Sequence, residues 1–331
     1  MVGLISRKLT KKMKMNTKKI SFSSQKKQFG KGFQGSSETT REAFCFDFYF
    51  QHKPAHKKTV DVQFLQWFIG FSESDCTFHA WFDRGRKRAG FTLNQDDPKI
   101  LFWIRKKLGF GRVLPCGTSW RFQVWDQDGL FRLFCIFSGN LVLDKRYLDF
   151  QKWTAFLTYP PGFSCQLDSS SSRQAKENMS AGDQLIGLDN AWLAGFWQAD
   201  GGFEAWGSFK SQKPHIILRA YVTQRAGSKA LKKIGILVQK QEKKWSQITN
   251  NKTATLYNRL EFASEFALET LLTYFKNSPL VGEKHICFLQ WKRVWEAREK
   301  AKQDKLILTE KSIKKLERLI ATVKKKKKQT K

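Results

Sequence analysis

The rhythm of apolar and polar positions changes at Asp75. From Phe64 the chain reads FLQWFIGFSESD, apolar at most steps, as in a helix buried on much of its surface. Beyond it, TFHAWFDRGRKRAGFTLNQ alternates around a basic, glycine-containing turn and predicts a β-hairpin ending at Gln95. DPKILFWIRKKLGFG then sets Ile100, Ile104 and Leu108 at helical spacing, with Pro98 suited to a first turn. WRFQVW reads as a strand, and DGLFRLFCIFSGNLVLDKRYLDFQKW holds one or two further helices.

The same order returns in the second half. WLAGFWQAD is a helix, GFEAWGSFK and HIILRAYVTQ form a hairpin ending at Gln224, and SKALKKIGILV is a helix. YNRLEF is a strand, and helices follow in SEFALETLLTYFKNSPLVGEKHICFLQW. Particular residues repeat as well as types. KKLG and KKIG close the middle helices, and RFQV and RLEF share Arg121 and Arg259. One interval separates both Phe137 from Trp153 and Phe275 from Trp291. The pattern predicts an α+β fold made of tandem αββαββα repeats, spanning 59–155 and 186–298. Residues 156–185, with Pro, Gly and a serine run, read as a linker. Residues 1–58 read as a basic, disordered extension, and 299–331 as C-terminal helices, one capped at LTEK, ending in a disordered lysine-rich tail.

Composition narrows the partners. The 331 residues carry 60 Lys+Arg against 29 Asp+Glu, a net charge of +31. The lysine-rich ends contribute, yet Arg84, Arg86, Lys87 and Arg88 lie inside the first hairpin. Such a field suits a polyanion, because each neutralised phosphate releases condensed counterions, and nucleic acid is the expected partner. A membrane is not expected, since no apolar run approaches the ~20 residues of a spanning helix. The six cysteines form no CxxC pair, which points to a reducing compartment without disulfides or a zinc site. The basic start suits an organelle transit peptide, and equally a DNA-touching arm or the remainder of an upstream reading frame.

The chemistry sits at the ends of the two apolar helices. Gly70 and Ser74 are four apart, as are Gly195 and Ala199, so each helix has a small-residue face on which another can pack backbone to backbone. Packing through those faces brings Asp75 and Asp200 together. Two close carboxylates repel, and a hard divalent cation between them offsets that cost. Carboxylate-bound Mg²⁺ at a phosphodiester activates water and steadies the leaving oxygen.

WFIGFSESDCTF and WLAGFWQADGGF resemble the paired motifs of the LAGLIDADG homing endonucleases in their single-chain, two-motif form. The resemblance covers about Phe64 to Arg298 and the LTEK helix. It implies a pseudo-symmetric monomer with the motif helices at the interface and two antiparallel sheets forming a saddle over double-stranded DNA. Asp75 and Asp200 would be the catalytic, metal-binding acids, and Gln95 and Gln224 would order active-site water. The implied reaction is hydrolysis of both strands across a minor groove, leaving short 3′ overhangs, in the service of intron homing. Cys76 departs from the family's usual Gly. The Lys expected just after the strands holding Arg121 and Arg259 is also absent, since those places read WDQD and ASEF. The expected location is a chloroplast or mitochondrion, as a product of the organelle's own genome.

Alternation assigns the sheet faces. With Phe78, Ala80 and Phe82 toward the helices, His79, Trp81 and Asp83 point outward. Glu204, Trp206 and Ser208 oppose Phe203, Ala205 and Phe209. His215, Arg219 and Tyr221 oppose Ile216, Leu218 and Ala220. Arg121, Gln123, Arg259 and Glu261 extend this mixed donor-acceptor face, which suits base edges, while Arg84, Arg86, Lys87 and Arg88 suit phosphates. Two other readings share the scaffold: an RNA maturase that assists splicing of its host intron, and a non-cleaving DNA-binding regulator.

Overall fold

The computed structural model describes residues 43–161, 163, 182–209, 215–225, 228–241, 246–250, 255–303 and 309–329. The first unit runs α1 (Asp47–His52), α2 (Val62–Asp75), β1 (Cys76–Asp83), β2 (Arg86–Gln95), α3 (Pro98–Leu108), β3 (Arg112–Cys116), β4 (Ser119–Val124), α4 (Gln127–Phe137) and α5 (Asp144–Thr154). A 3₁₀ turn at Gly182–Leu185 leads into the second. That unit comprises α6 (Trp192–Asp200), β5 (Gly201–Ser208), β6 (His215–Gln224), α7 (Ser228–Gln239), β7 (Ser246–Asn250), β8 (Thr255–Phe262), α8 (Glu265–Asn277), α9 (Gly282–Gln303) and α10 (Glu310–Gln329). The sheets are antiparallel, in the matching orders β1-β2-β4-β3 and β5-β6-β8-β7. The α+β architecture and the duplication are as the sequence pattern predicts.

Local chemistry sets the helix ends. Asp61 accepts from the Gln63 amide at 2.9 Å, and Asp126 from Gly129 at 2.7 Å, each satisfying a first-turn donor. Asp97 does the same for α3 (3.0 Å to the Lys99 amide) just ahead of Pro98, and Gly109 closes that helix at φ +83°. Each unit then buries one aromatic cluster between sheet and helices. Phe78 packs on Phe137, Phe150 and Trp153 at 5.5, 5.7 and 5.1 Å. Phe203 packs on Phe275, Phe288 and Trp291 at 5.8, 5.4 and 5.2 Å.

The two units meet through α2 and α6. A methyl on Gly70 would sit 2.1 Å from the Trp192 carbonyl oxygen, and one on Gly195 would sit 1.8 Å from that of Trp67. The pair is reciprocal, as a local twofold requires. Tyr274 anchors the start of α6, accepting from the Ala194 amide at 2.8 Å and donating to the Asn190 carbonyl at 2.9 Å. Tyr274→Phe leaves both groups buried and unpaired, so chemical denaturation is expected to show a loss of about 1–3 kcal/mol.

Several boundaries differ from expectation. Residues 43–58 are not a disordered segment: Phe46 and Tyr49 are buried, and the Cys45 amide and carbonyl both bond to the Asn140 side chain, at 3.0 and 2.7 Å. Aromatic density, more than basic composition, decides that segment; residues 1–42 lie outside the described residues. The expected linker begins too early, since Leu157, Tyr159 and Phe163 pack on the core. Its residues 164–181 are outside the described set. The break at 298 falls inside continuous α9, and α10 carries the helix through the lysine-rich tail to Gln329. Leu316, Ile320 and Val323, buried at helical spacing, hold α10 to the molecule. Phe82 was expected to face inward but is 63% exposed, lying near the hairpin tip with Phe156 edge-on to its ring at 5.1 Å. Among the described residues, no helix is long and apolar enough to cross a membrane.

Candidate active site

Asp75 and Asp200 are the last residues of α2 and α6, and the glycine-to-carbonyl contacts of those helices bring the two acids together. Both line a cleft of about 630 Å³, with Glu73, Ser74, Arg146, Gln224, Arg225 and Lys229. Loss of hydration pushes Asp75 up to about 6, against the opposing pull of the Gln95 amide, Lys284 and Arg146. Asp200 is pushed up to about 7, first by the same desolvation and then by the charge of Asp75; Ser74, Lys284 and Arg146 pull it down. Each acid also meets the glutamine at the end of its own hairpin. Gln95 Nε2 donates to Asp75 at 2.5 Å and Gln224 Nε2 to Asp200 at 3.4 Å.

The basic groups come from an unforeseen place. Neither Trp125 nor Ala263, just after β4 and β8, supplies one, and Asp126 and Ser264 there are the N-cap residues of α4 and α8. Instead, Arg146 on α5 donates to the carbonyls of Glu73 (2.6 Å) and Ser74 (3.0 Å) at the end of α2. Lys284 on α9 donates to the carbonyls of Gly201 (2.6 Å), Ala199 (3.3 Å) and Trp197 (3.5 Å) at the end of α6. A cation at a helix C-terminus meets the negative end of its dipole. Burial pulls the Lys284 ammonium down while Asp200 and Asp75 push it back up. The sequence did hold a signal: the interval from Phe137 to Arg146 equals that from Phe275 to Lys284.

Glu73, two residues before Asp75, was also missed. It is 1% exposed and accepts from the Val142 and Leu143 amides (2.7 and 2.6 Å) and from Trp192 Nε1 across the helix interface (2.7 Å). Burial pushes it up to about 7 against those three bonds. Gln198 is its counterpart, accepting from the Val281 amide at 2.9 Å. These contacts fix the loops that lead into Arg146 and Lys284.

The sheet faces turned away from the helices carry most of the expected contact residues. On the first, Asp83 pairs with Arg88 at 3.4 Å across the two-residue turn Arg84-Gly85, whose φ values are +48° and +76°. Trp81 is exposed, His79 bonds Thr92 at 2.9 Å, and Arg121 bonds Asn94 at 2.9 Å. Gln123 pairs with Thr92 in the ladder. Lys87 departs from expectation: it faces Phe82 in the ladder and donates back to the Ala155 carbonyl at 2.9 Å. On the second sheet, Glu204 is only 7% exposed beneath Arg259, which bonds it at 3.1 Å and Glu261 at 2.6 Å. Arg259 also stacks on Tyr221 at 3.7 Å. Arg219 reaches Glu261 at 3.2 Å and lies 5.2 Å from the centre of the Trp206 ring. Ser208 and His215 pair at the open end of that sheet.

Comparison with known proteins agrees with this architecture. A family model described as LAGLIDADG endonuclease matches residues 193–295. Over 275 residues the chain is 28% identical to "Probable intron-encoded endonuclease 4" of Neurospora crassa, covering 81% of this chain and 44% of that protein. It thus spans less than half the length of that relative. It is 21% identical over 271 residues to "Uncharacterized cox1 intron-2 37.2 kDa protein" of Schizosaccharomyces pombe, covering 79% of this chain and 75% of that one. Among solved structures, the LAGLIDADG meganuclease I-AabMI bound to uncleaved DNA superposes with a TM-score of 0.55 at 18% identity, covering 78% of this chain and 98% of that one. Two copies of the motif helix crossing at their glycines, with a matching sheet beside each, give the chain the fold of the LAGLIDADG meganucleases, and the LAGLIDADG endonuclease model falls on its second unit.

Proposed function

We propose that the protein is a site-specific double-strand DNA endonuclease that uses Mg²⁺ or another divalent cation and acts as a monomer on the insertion site of its own intron. The observation that carries this reading is the meeting of Asp75 and Asp200, one acid from each unit, in a cleft lined by Arg146, with the buried Lys284 ammonium near enough to pull on both acids. A chain of strongly positive charge suits the long duplex such a site needs.

The donor set fits a hard cation. Burial raises both carboxyls, and Asp200, raised to about 7 with its neighbour's charge adding to the desolvation, is partly protonated at neutral pH unless a metal replaces that proton. Among the described residues no group of three or more His, Cys, Asp or Glu is gathered, so few protein ligands would hold the ion, as Mg²⁺ tolerates. When bound, the cation would lower the pKa of attacking water and balance charge on the leaving oxygen. Asp75 and Asp200 would hold it, and Gln95 and Gln224 would orient water beside each acid. Arg146 and Lys284 fix the acid-bearing helix ends and add positive charge where the phosphorane forms. A cut on each strand across one minor groove leaves short 3′ overhangs. The intron-related names of the relatives support an organellar intron as the source.

The direct test mixes the protein with duplex DNA spanning the intronless insertion site. A double-strand cut in Mg²⁺ that EDTA abolishes supports the reading; intact DNA at every cation tried overturns it. The maturase and regulator readings have no observation of their own, and Arg146 on α5 and Lys284 on α9 bring positive charge to the acid-bearing helix ends although β4 and β8 are followed by none. Lys284→Met keeps the bulk of the side chain and removes its charge. The expected outcome is a fall in cleavage of about 10²-fold, with binding in EDTA nearly unchanged, as measured on end-labelled duplex.

A further inference from the structure

The two sheet faces present opposite chemistry at matching positions. On the first, Gly90 faces His79 in the ladder, and a methyl there would fall 1.7 Å from the Trp125 ring, so the glycine exists to let that indole lie flat on the strand. Trp125 then stands edge-on to Trp81 at 5.8 Å and beside His79 at 5.6 Å, and each tryptophan is 42% exposed. The His79 ring is held toward its neutral form by burial and by Arg121. On the second sheet, the position of Gly90 is taken by Arg219, that of His79 by Glu204 and that of Trp125 by Ala263. Trp206, the match of Trp81, lies under Arg219 within the ionic network. One face thus offers exposed aromatic surface with Arg88 opposite Trp81 in the ladder, Arg86 one outward-facing position further on and Arg121 near His79; the other offers fixed charges.

Apart from two indole N–H groups and one imidazole nitrogen, such a patch presents ring surface, and the major groove has an apolar feature for it, the 5-methyl group of thymine. The surrounding arginines suit flanking phosphates and keep the occupant a nucleic acid. We propose that Trp81, Trp125 and His79 read thymine methyl groups in one half of the target only, a specificity that rests on the endonuclease reading above. His79 and Trp81 lie four and six residues beyond Asp75. At about 3.3 Å per residue against roughly 3.4 Å per base step, the thymines fall about four to six base pairs from the cut.

The test is a binding selection by the full chain from duplexes randomised over the target length, in EDTA so that none is cut. Thymine is expected to be enriched at those positions in one half, and Trp125→Ala is expected to lose that enrichment alone. Replacing each selected thymine by deoxyuridine removes only the methyl. It is expected to weaken wild-type binding about three- to five-fold per position and to leave the Trp125→Ala protein indifferent. Enriched duplexes without thymine there, or wild-type indifference to deoxyuridine, overturn the proposal while leaving the endonuclease reading intact. Retention of single-stranded RNA with no duplex enriched overturns both.

Discussion

Asp75→Asn and Asp200→Asn, made singly, are expected to lower target cleavage by about 10³-fold or more while raising the stability of the metal-free protein. The first effect follows from removing half of the charge that holds the cation. The second comes from the same burial. Asp75 is pushed up to about 6 and Asp200 to about 7, while an unfolded carboxyl titrates near 4. Between those values the folded chain holds protons that the unfolded chain has released, so stability falls as pH rises from about 4 to 7. Glu73, pushed up to about 7, adds to that slope. Asn at position 200 carries no charge to desolvate and relieves Asp75 of its neighbour. At pH 7.5 in EDTA the variant is expected to be more stable by roughly 2–4 kcal/mol, with a shallower dependence on pH. Mg²⁺ is expected to stabilise the wild type at that pH and the Asp75→Asn/Asp200→Asn double variant scarcely at all. Urea midpoints measured with and without metal decide the matter. A wild type indifferent to both pH and cation would mean that the acids do not share a desolvated site.

The motif helices were legible because their signal is local and appears twice: an apolar run, small residues four apart, one terminal acid and a hairpin after it. What failed to show was information spread over long separations. β3 reads RVLPC and β7 reads SQITN, short segments without a clean alternation, and they are strands because β4 and β8 offer them a ladder. Glu73 looked like one more polar residue; its meaning lies in amides 69 and 70 positions away and an indole 119 away. Lys284 acts on carbonyls some 85 residues earlier, and only the equal spacing of the two repeats could have singled it out. Alternation placed Glu204, Arg219, Arg259 and Glu261 on one face, yet it says nothing about whether such charges reach outward or neutralise one another. Here they form a network, and Glu204 is buried within it.

Gly195→Ala should harm both half-sites at once. In an isolated helix the change gains about 1 kcal/mol, because alanine loses less backbone freedom on folding than glycine. At the crossing that gain is overwhelmed. The new methyl would lie 1.8 Å from the Trp67 carbonyl oxygen and 2.8 Å from the Phe71 amide nitrogen, and backbone atoms inside a helix have no rotamer to escape into. The helices must separate by more than an ångström. That opens the packing around Trp192 and Phe196, whose rings stack at 4.9 Å, and strains the bond from Trp192 to Glu73. Overpacking of this kind costs about 1–3 kcal/mol where side chains can yield, and more where only backbone can. A net loss of at least about 3 kcal/mol in urea unfolding is expected. Gly70→Ala is expected to do nearly as much, its methyl lying 2.1 Å from the Trp192 carbonyl oxygen. Ser74→Ala, on the same face but adding no atom there, is expected to stay within about 1 kcal/mol of wild type. Because each acid rides on the end of one crossing helix, separation moves both carboxylates relative to each other. Cutting of the two strands should therefore fall together, with no accumulation of nicked product. A Gly195→Ala protein that unfolds at the wild-type urea concentration would show that the helices do not cross this closely, and the shared acid site would lose its geometric basis.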